Sequence, residues 1–169
     1  MKNTINIYSK RAEKEISAFK DKEYQFDIRL DNVHLKSIND LTRIDIFSKN
    51  DLYVGGETLW TAMQPKGENR HHNYHDLTPE DIVNALRNIT KPYCVLKNNE
   101  GRISIISSIK SHLGVPLHLV IEIGASLKVD NQANINKLVT LFPLSKIDSF
   151  IKNIGINSVY YINIGNKAK

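Results

Sequence analysis

Apolar residues recur along this chain first at a helical period and then, from about residue 93, mostly at a strand period. Ala12, Ile16 and Phe19 stripe the charged segment 10–20 and predict a short amphipathic helix. Tyr24-Gln-Phe26-Asp-Ile28-Arg-Leu30 alternates cleanly, as a half-buried strand does. Leu41 to Phe47 and Leu52-Tyr53-Val54 are shorter apolar pieces whose type the pattern leaves open. Glu57 to Met63 predicts a short helix that Pro65 helps to end. Trp60 within it reads better as a core aromatic beside Leu59 and Met63 than as a stacking platform for a base. The strongest helix signal runs from Glu80 to Ile89, with Ile82, Leu86 and Ile89 on one face. Thr78 suits its N-cap, Pro79 its first turn and Asp81 the acid of a capping box, and Lys91-Pro92 stops it.

Tyr93–Lys97, Arg102–Ser108 and Leu117–Ile123 are β-rich runs. Asn98-Asn99-Glu100-Gly101 and His112-Leu-Gly114-Val-Pro116 divide them with turn chemistry, which predicts an antiparallel meander. Leu127-Lys-Val129 and Ile135–Phe142 are further strand candidates around an Asp130-Asn131 turn. Ser145-Lys-Ile147-Asp148 has the form of a second capping box, opening a helix striped by Ile147, Phe150, Ile151 and Ile154 that Gly155 closes. Val159-Tyr-Tyr-Ile162 gives a last strand before a polar tail, 166–169. No repeat, low-complexity segment or linker interrupts the chain. The pattern therefore predicts one α+β domain over 1–169, helices first and a mainly antiparallel sheet after, with one helix inserted late.

Composition changes this picture little. With 169 residues, 41% apolar and 24% charged, the chain has the make-up of an ordinary globular protein. A net charge of +5 suits a nucleic-acid partner, but acids are interleaved with the bases and charge alone does not decide it. The single cysteine, Cys94, rules out an internal disulfide and a cysteine zinc cage, and its apolar surroundings suit a buried, inert thiol. No stretch approaches the ~20 apolar residues of a membrane span. Met1-Lys-Asn-Thr-Ile-Asn lacks the apolar run of a signal peptide, so a cytoplasmic location is expected.

Chemistry concentrates in Lys66-Gly-Glu-Asn-Arg70-His71-His72-Asn-Tyr74-His75, a polar loop pinned downstream by the Thr78 cap. His72 and His75 would share a metal only if helical, and no carboxylate or cysteine is spaced to complete a zinc site, so no metal or cofactor is expected. Val54-Gly55-Gly56-Glu57 matches neither a P-loop nor a dinucleotide pattern, and no Gly-x-Ser-x-Gly elbow occurs. What remains is metal-free acid–base chemistry on a phosphodiester. Imidazoles titrate near working pH and a guanidinium fork matches two phosphate oxygens, roles open to His72, His75 and Arg70. From the residues alone, a solvated polar loop without catalytic role has the better claim.

Leu52-Tyr-Val-Gly-Gly-Glu-Thr-Leu59, then a histidine ahead of Leu77-Thr78-Pro79-Glu80-Asp81-Ile82, resembles the C-terminal nuclease domain of phage MuF-type and related toxin proteins, within the barnase–EndoU–colicin–RelE-like group. Ile89-Thr-Lys-Pro92, Asn136-Lys-Leu-Val-Thr140-Leu-Phe142 and Val159-Tyr-Tyr-Ile162 are similar to later elements of that family, in the same order. The likeness covers about residues 50–165 and leaves 1–45 as an extension without a family reading. It implies N-terminal helices packed on a twisted, mainly antiparallel sheet, and a toxin-type ribonuclease that cuts RNA such as tRNA or mRNA. An antitoxin or immunity protein is the implied partner, and no membrane is involved. By position it implies His75 as the histidine ahead of the helix and Thr140 as the strand hydroxyl, with Asn136 beside it. Together the two lines give His75, His72, Arg70 and Thr140 as catalytic residues, and Asn136, His71, Lys66 and Tyr74 as substrate contacts. The loop is longer than the family pattern, so His71, His72 and His75 compete for one role. Phe142 stands where the pattern often has an aromatic hydroxyl. The alternative expectation is a non-catalytic module that grips RNA or a protein on the same fold.

Overall fold

The computed structural model describes residues 14–16, 18, 27–30, 33–66, 74–126 and 133–165. Residues 14–16 and 18 are helical, and Ile16 is buried there. Then follow β1 (Asp27–Leu30), α1 (Ser37–Thr42), β2 (Leu52–Gly55), α2 (Gly56–Met63) and α3 (Pro79–Arg87). After them come β3 (Cys94–Lys97), β4 (Ile103–Lys110), β5 (Pro116–Ala125), β6 (Ile135–Pro143), α4 (Ile147–Ile154) and β7 (Val159–Ile162). The predicted strand at 127–129 and the tail at 166–169 lie outside the described residues.

The strands form one seven-stranded sheet in the order β1-β2-β6-β5-β4-β3-β7. β3 to β5 are the predicted meander, the strand candidate at 135–142 extends it as β6, and every described pair in the sheet is antiparallel except β2 with β6. The expectation of helices first and sheet after is corrected: β1 and β2 precede α2 and α3 and build the far side of the sheet. All four residues of β2 are buried, so it shows no alternation by which to identify it as a strand.

The sheet has two dressed faces. On one, Leu138 and Leu141 of β6, Leu117, Leu119 and Ile121 of β5 and Ile105 of β4 join Ile38, Leu59, Ile82 and Leu86 of α1 to α3 in the main core. On the other, Cys94, Leu96 and Ile106 meet Ile147, Phe150, Ile151 and Ile154 of α4. Cys94 is the buried thiol expected, and burial pushes it up to about 12.

The two predicted capping boxes diverge. At α3 the box forms: the Thr78 hydroxyl accepts from Asp81 N at 3.2 Å, and the Asp81 carboxylate accepts from Thr78 N at 2.9 Å. At α4 it does not, because the helix begins at Ile147; Lys146 becomes the N-cap, with no side-chain cap bond, and Ser145 falls one residue outside. Gly155 closes α4 at φ 96°, a backbone conformation few side chains tolerate.

Candidate active site

β2 accompanies β6 only over Tyr53↔Lys137 and Val54↔Leu138, after which the chain turns into α2 at Gly56. Beyond Leu138 the edge of β6 therefore has a helix beside it in place of a strand. The Thr58 hydroxyl reaches Val139 O at 3.5 Å. β6 also carries a bulge here: Thr140 lies opposite Val120 and Leu138 opposite Ile121, so Val139 is an extra residue. The bulge turns both Val139 and Thr140 toward the gap, where strict alternation would present only one. The result is an open hollow of about 390 Å³ lined by Glu57, Thr58 and Thr61 of α2, Lys137 and Thr140 of β6, and His75.

His75 is delivered by the strap that leads into α3. Asp76 N donates to Gln64 O at 2.8 Å and Leu77 N to Ala62 O at 3.0 Å, which ties the strap to the C-terminal end of α2. Asp76 takes φ 56° to make the turn, and Leu77 plugs the main core at 3% exposure. His75 thus stands directly ahead of two backbone anchors and a cap. Burial pushes its imidazole below the usual 6.5, and the positive charge of Lys66 adds to the effect. At neutral pH it is a proton acceptor. Its ring lies 5.6 Å from that of Phe142, tilted by 36°.

Of the sequence-predicted residues, His75 and Thr140 meet in the hollow, with Lys66 near enough to act on the imidazole. Arg70, His71 and His72 lie outside the described residues. Tyr74 is placed against Trp60, edge to face at 5.4 Å. Trp60 is therefore not the core aromatic expected: α2 buries Leu59 and Ala62, and the half-buried indole faces the strap. Asn136 is not brought to His75. It is 3% exposed, and its amide donates to Lys49 O and Asp51 O, each at 3.0 Å, clamping the turn into β2. Asn136 lines a second hollow of about 410 Å³, where Arg29 is bonded to Asp51 and Lys49 Nζ to Asn134 O.

Sequence reasoning missed Glu57 and Lys137. Lys137 sits among apolar residues inside a strand run, a placement that calls for a reason. Glu57 lies in the first turn of α2, where it also suits the helix dipole, so its position gave no signal of a site. Among the described residues there is no cluster of histidine, cysteine and carboxylate side chains that would hold a metal ion. Among them, too, no helix is long and apolar enough to cross a membrane. Comparison of the chain with protein-family models, with curated proteins and with solved structures finds no match.

Proposed function

We propose that this chain is a metal-independent RNA endonuclease of toxin type, with its reacting phosphodiester held in the hollow between α2 and β6. The observation that carries the reading is the meeting of His75, Thr140, Lys137 and Glu57 around one open cavity, from three separate parts of the chain. Cleavage needs a base for the 2′-hydroxyl, charge stabilisation at phosphorus and a proton for the departing 5′-oxygen. His75, held unprotonated by burial and Lys66, is the base. As it takes the proton, the 2′-oxygen bonds to phosphorus and the P–O5′ bond breaks, leaving a 2′,3′-cyclic phosphate. Lys137 offsets the charge on the non-bridging oxygens, and the Thr140 hydroxyl donates to one of them. The 5′-oxygen takes its proton from a second carrier, the role the sequence assigns to His72, with Arg70 as phosphate clamp. The helices α1 to α3 packed on one face of a mainly antiparallel sheet favour a barnase- or RelE-like arrangement; the parallel β2–β6 pair departs from it.

The test is cleavage of RNA in excess EDTA. His75→Ala should lose on the order of 10²–10⁴ in rate. With His75 as base and a second histidine as acid, the pH profile is a bell: activity rises through a midpoint below 6.5 and falls again at higher pH, where the acid loses its proton. Undiminished activity in His75→Ala, or activity that falls as pH rises through that first midpoint, removes His75 as the base. A second reading, a module that grips RNA without cutting it, is favoured by Phe142, whose ring brings carbon and no hydroxyl beside His75. Growth arrest on expression of the wild type but not of His75→Ala separates catalysis from grip.

A further inference from the structure

His118 of β5 is 3% exposed, and neither ring nitrogen has a hydrogen-bond partner. A buried imidazole without partners is costly, because both polar atoms give up water for nothing. What surrounds it is aromatic. The Phe142 ring lies 4.7 Å away at 70°, and the Phe150 ring 4.6 Å away at 62°, both edge to face. Phe142 in turn lies against His75. Four rings, one each from the strap, β6, β5 and α4, therefore run in contact from the candidate site to a helix on the sheet's second face.

We infer that Phe150 and His118 are positioning residues for His75, acting through Phe142, so that the seating of α4 sets where the site's imidazole points. Each joint in the relay crosses from one element to another, so no ring is placed by its own backbone neighbours alone. Phe142 is held from behind by the His118 edge, and His118 by Phe150. α4 is the adjustable member: it has no fully buried residue and no side-chain cap at its N-terminus. Edge-to-face contacts at these separations carry orientation as well as area. If α4 shifts, the edge that supports Phe142 moves, and the imidazole loses the wall that orients and desolvates it.

Of the charged groups near His75, Lys66 just beyond α2 acts on its imidazole, and Glu57 from α2 and Lys137 from β6 line the same hollow. Around His118 the sheet presents Ile106 from β4 and, beyond it, Cys94 from β3, a thiol pushed up to about 12; β6 and α4 present Phe142 and Phe150. None of these charged groups is touched by changing Phe150, which makes it the informative variant.

The inference rests on His75 being the site's proton carrier, and its primary readout does not need cleavage. The His75 ring protons, assigned with His75→Gln, are titrated by NMR in the full-length wild type, Phe142→Ala, Phe150→Ala and Phe150→Leu. The Leu variant keeps apolar cover over His118 while removing the ring. Expected is an upward movement of the His75 midpoint toward 6.5 in every variant, largest for Phe142→Ala, as water reaches the imidazole. In RNA cleavage, kcat should fall about tenfold to a hundredfold with KM unchanged, as for a misplaced catalytic group. His118→Phe should rescue what His118→Ala loses, because the relay needs a ring there and not an ionisable group. A His75 titration in Phe150→Leu that superimposes on wild type overturns the relay. Absence of cleavage by wild type, with the midpoints moving as described, leaves the relay standing and removes the nuclease reading.

Discussion

His118 and His75 are both imidazoles with depressed basicity, and the difference between their surroundings sets what each can do. His75 opens on a hollow with charged neighbours; His118 is sealed among rings, and burial alone lowers it to about 4. That gap has a thermodynamic consequence with a definite sign. In the unfolded chain His118 takes a proton as pH falls through 6.5, while the folded chain refuses it until about 4. Stability attributable to His118 is therefore intact above 6.5, declines between 6.5 and about 4, and is level below. The decline amounts to about 3 kcal/mol. Urea unfolding of wild type and His118→Phe at a series of pH values checks this, since the variant lacks the titration. The stability difference between them should swing in the variant's favour across that window. A difference independent of pH would mean that His118 is solvated in the native state.

At the scale of elements, α3 is placed by more than its cap. The Asp81 carboxylate accepts from Thr78 N and the Thr78 hydroxyl, and also from His112 N at 2.7 Å and His112 Nδ1 at 2.5 Å in the β4–β5 turn. Burial works against its charge, yet the Thr78 and His112 donors together outweigh it and hold the carboxyl below the usual 3.8. Asp81 thus ties helix, strap and hairpin together at the end of the sheet. Asp81→Ala should cost about 2–4 kcal/mol, a lost cap plus unpaired backbone N–H groups. The contribution is present above pH 3.8 and is lost as pH falls through the depressed value. The Asp81→Ala and His112→Ala losses should fail to add, because each removes the same tie; additive losses in urea unfolding would show that the tie carries no energy. The sequence disclosed the cap, since Thr78, Pro79 and Asp81 are local, but not His112, which reaches Asp81 from 31 residues away. The same division runs through the rest of the chain. The meander was legible because Ile103 to Ile106 and Leu117 to Ile121 are β-rich runs bounded by turns at Gly101 and Gly114, both of which take positive φ. β2 was not, because four buried residues show no period, and with it went the parallel pairing that brings Glu57 beside Lys137 and Thr140. His75 was legible by its position ahead of the Thr78 cap, in competition with His71 and His72; the burial of Leu77, which anchors the strap two residues on, is a local reason for its placement that the sequence also carries.

At the scale of the whole molecule, the sheet separates a large core on one face from a smaller one under α4 on the other. The main core takes apolar side chains from α1, α2, α3 and most strands, while among the described residues the second has Cys94, Leu96 and Ile106 as its buried apolar members under α4. β4, β5 and β6 make the densest pairing in the sheet, so their opening is expected to require unfolding of the whole domain. α4 needs only its own half-buried stripe, Ile147, Phe150, Ile151 and Ile154, to come away from the sheet. Loss of that contact would hydrate His118 and satisfy its nitrogens, which lowers the cost of opening still further. Native-state hydrogen exchange should therefore resolve two units. Amides of Leu119 and Ile121 should exchange at the free energy of global unfolding. Those of Phe150 and Gly155, bonded within α4 to Lys146 O and Ile151 O, should exchange through a smaller opening that leaves the meander intact. The smaller opening should grow more frequent as pH falls from 6.5 toward 4, because the exposed imidazole is protonated in the open form and not in the closed one. Equal protection of the two sets of amides would make α4 an integral part of the fold, and the ring relay to His75 a fixed brace with no separate opening.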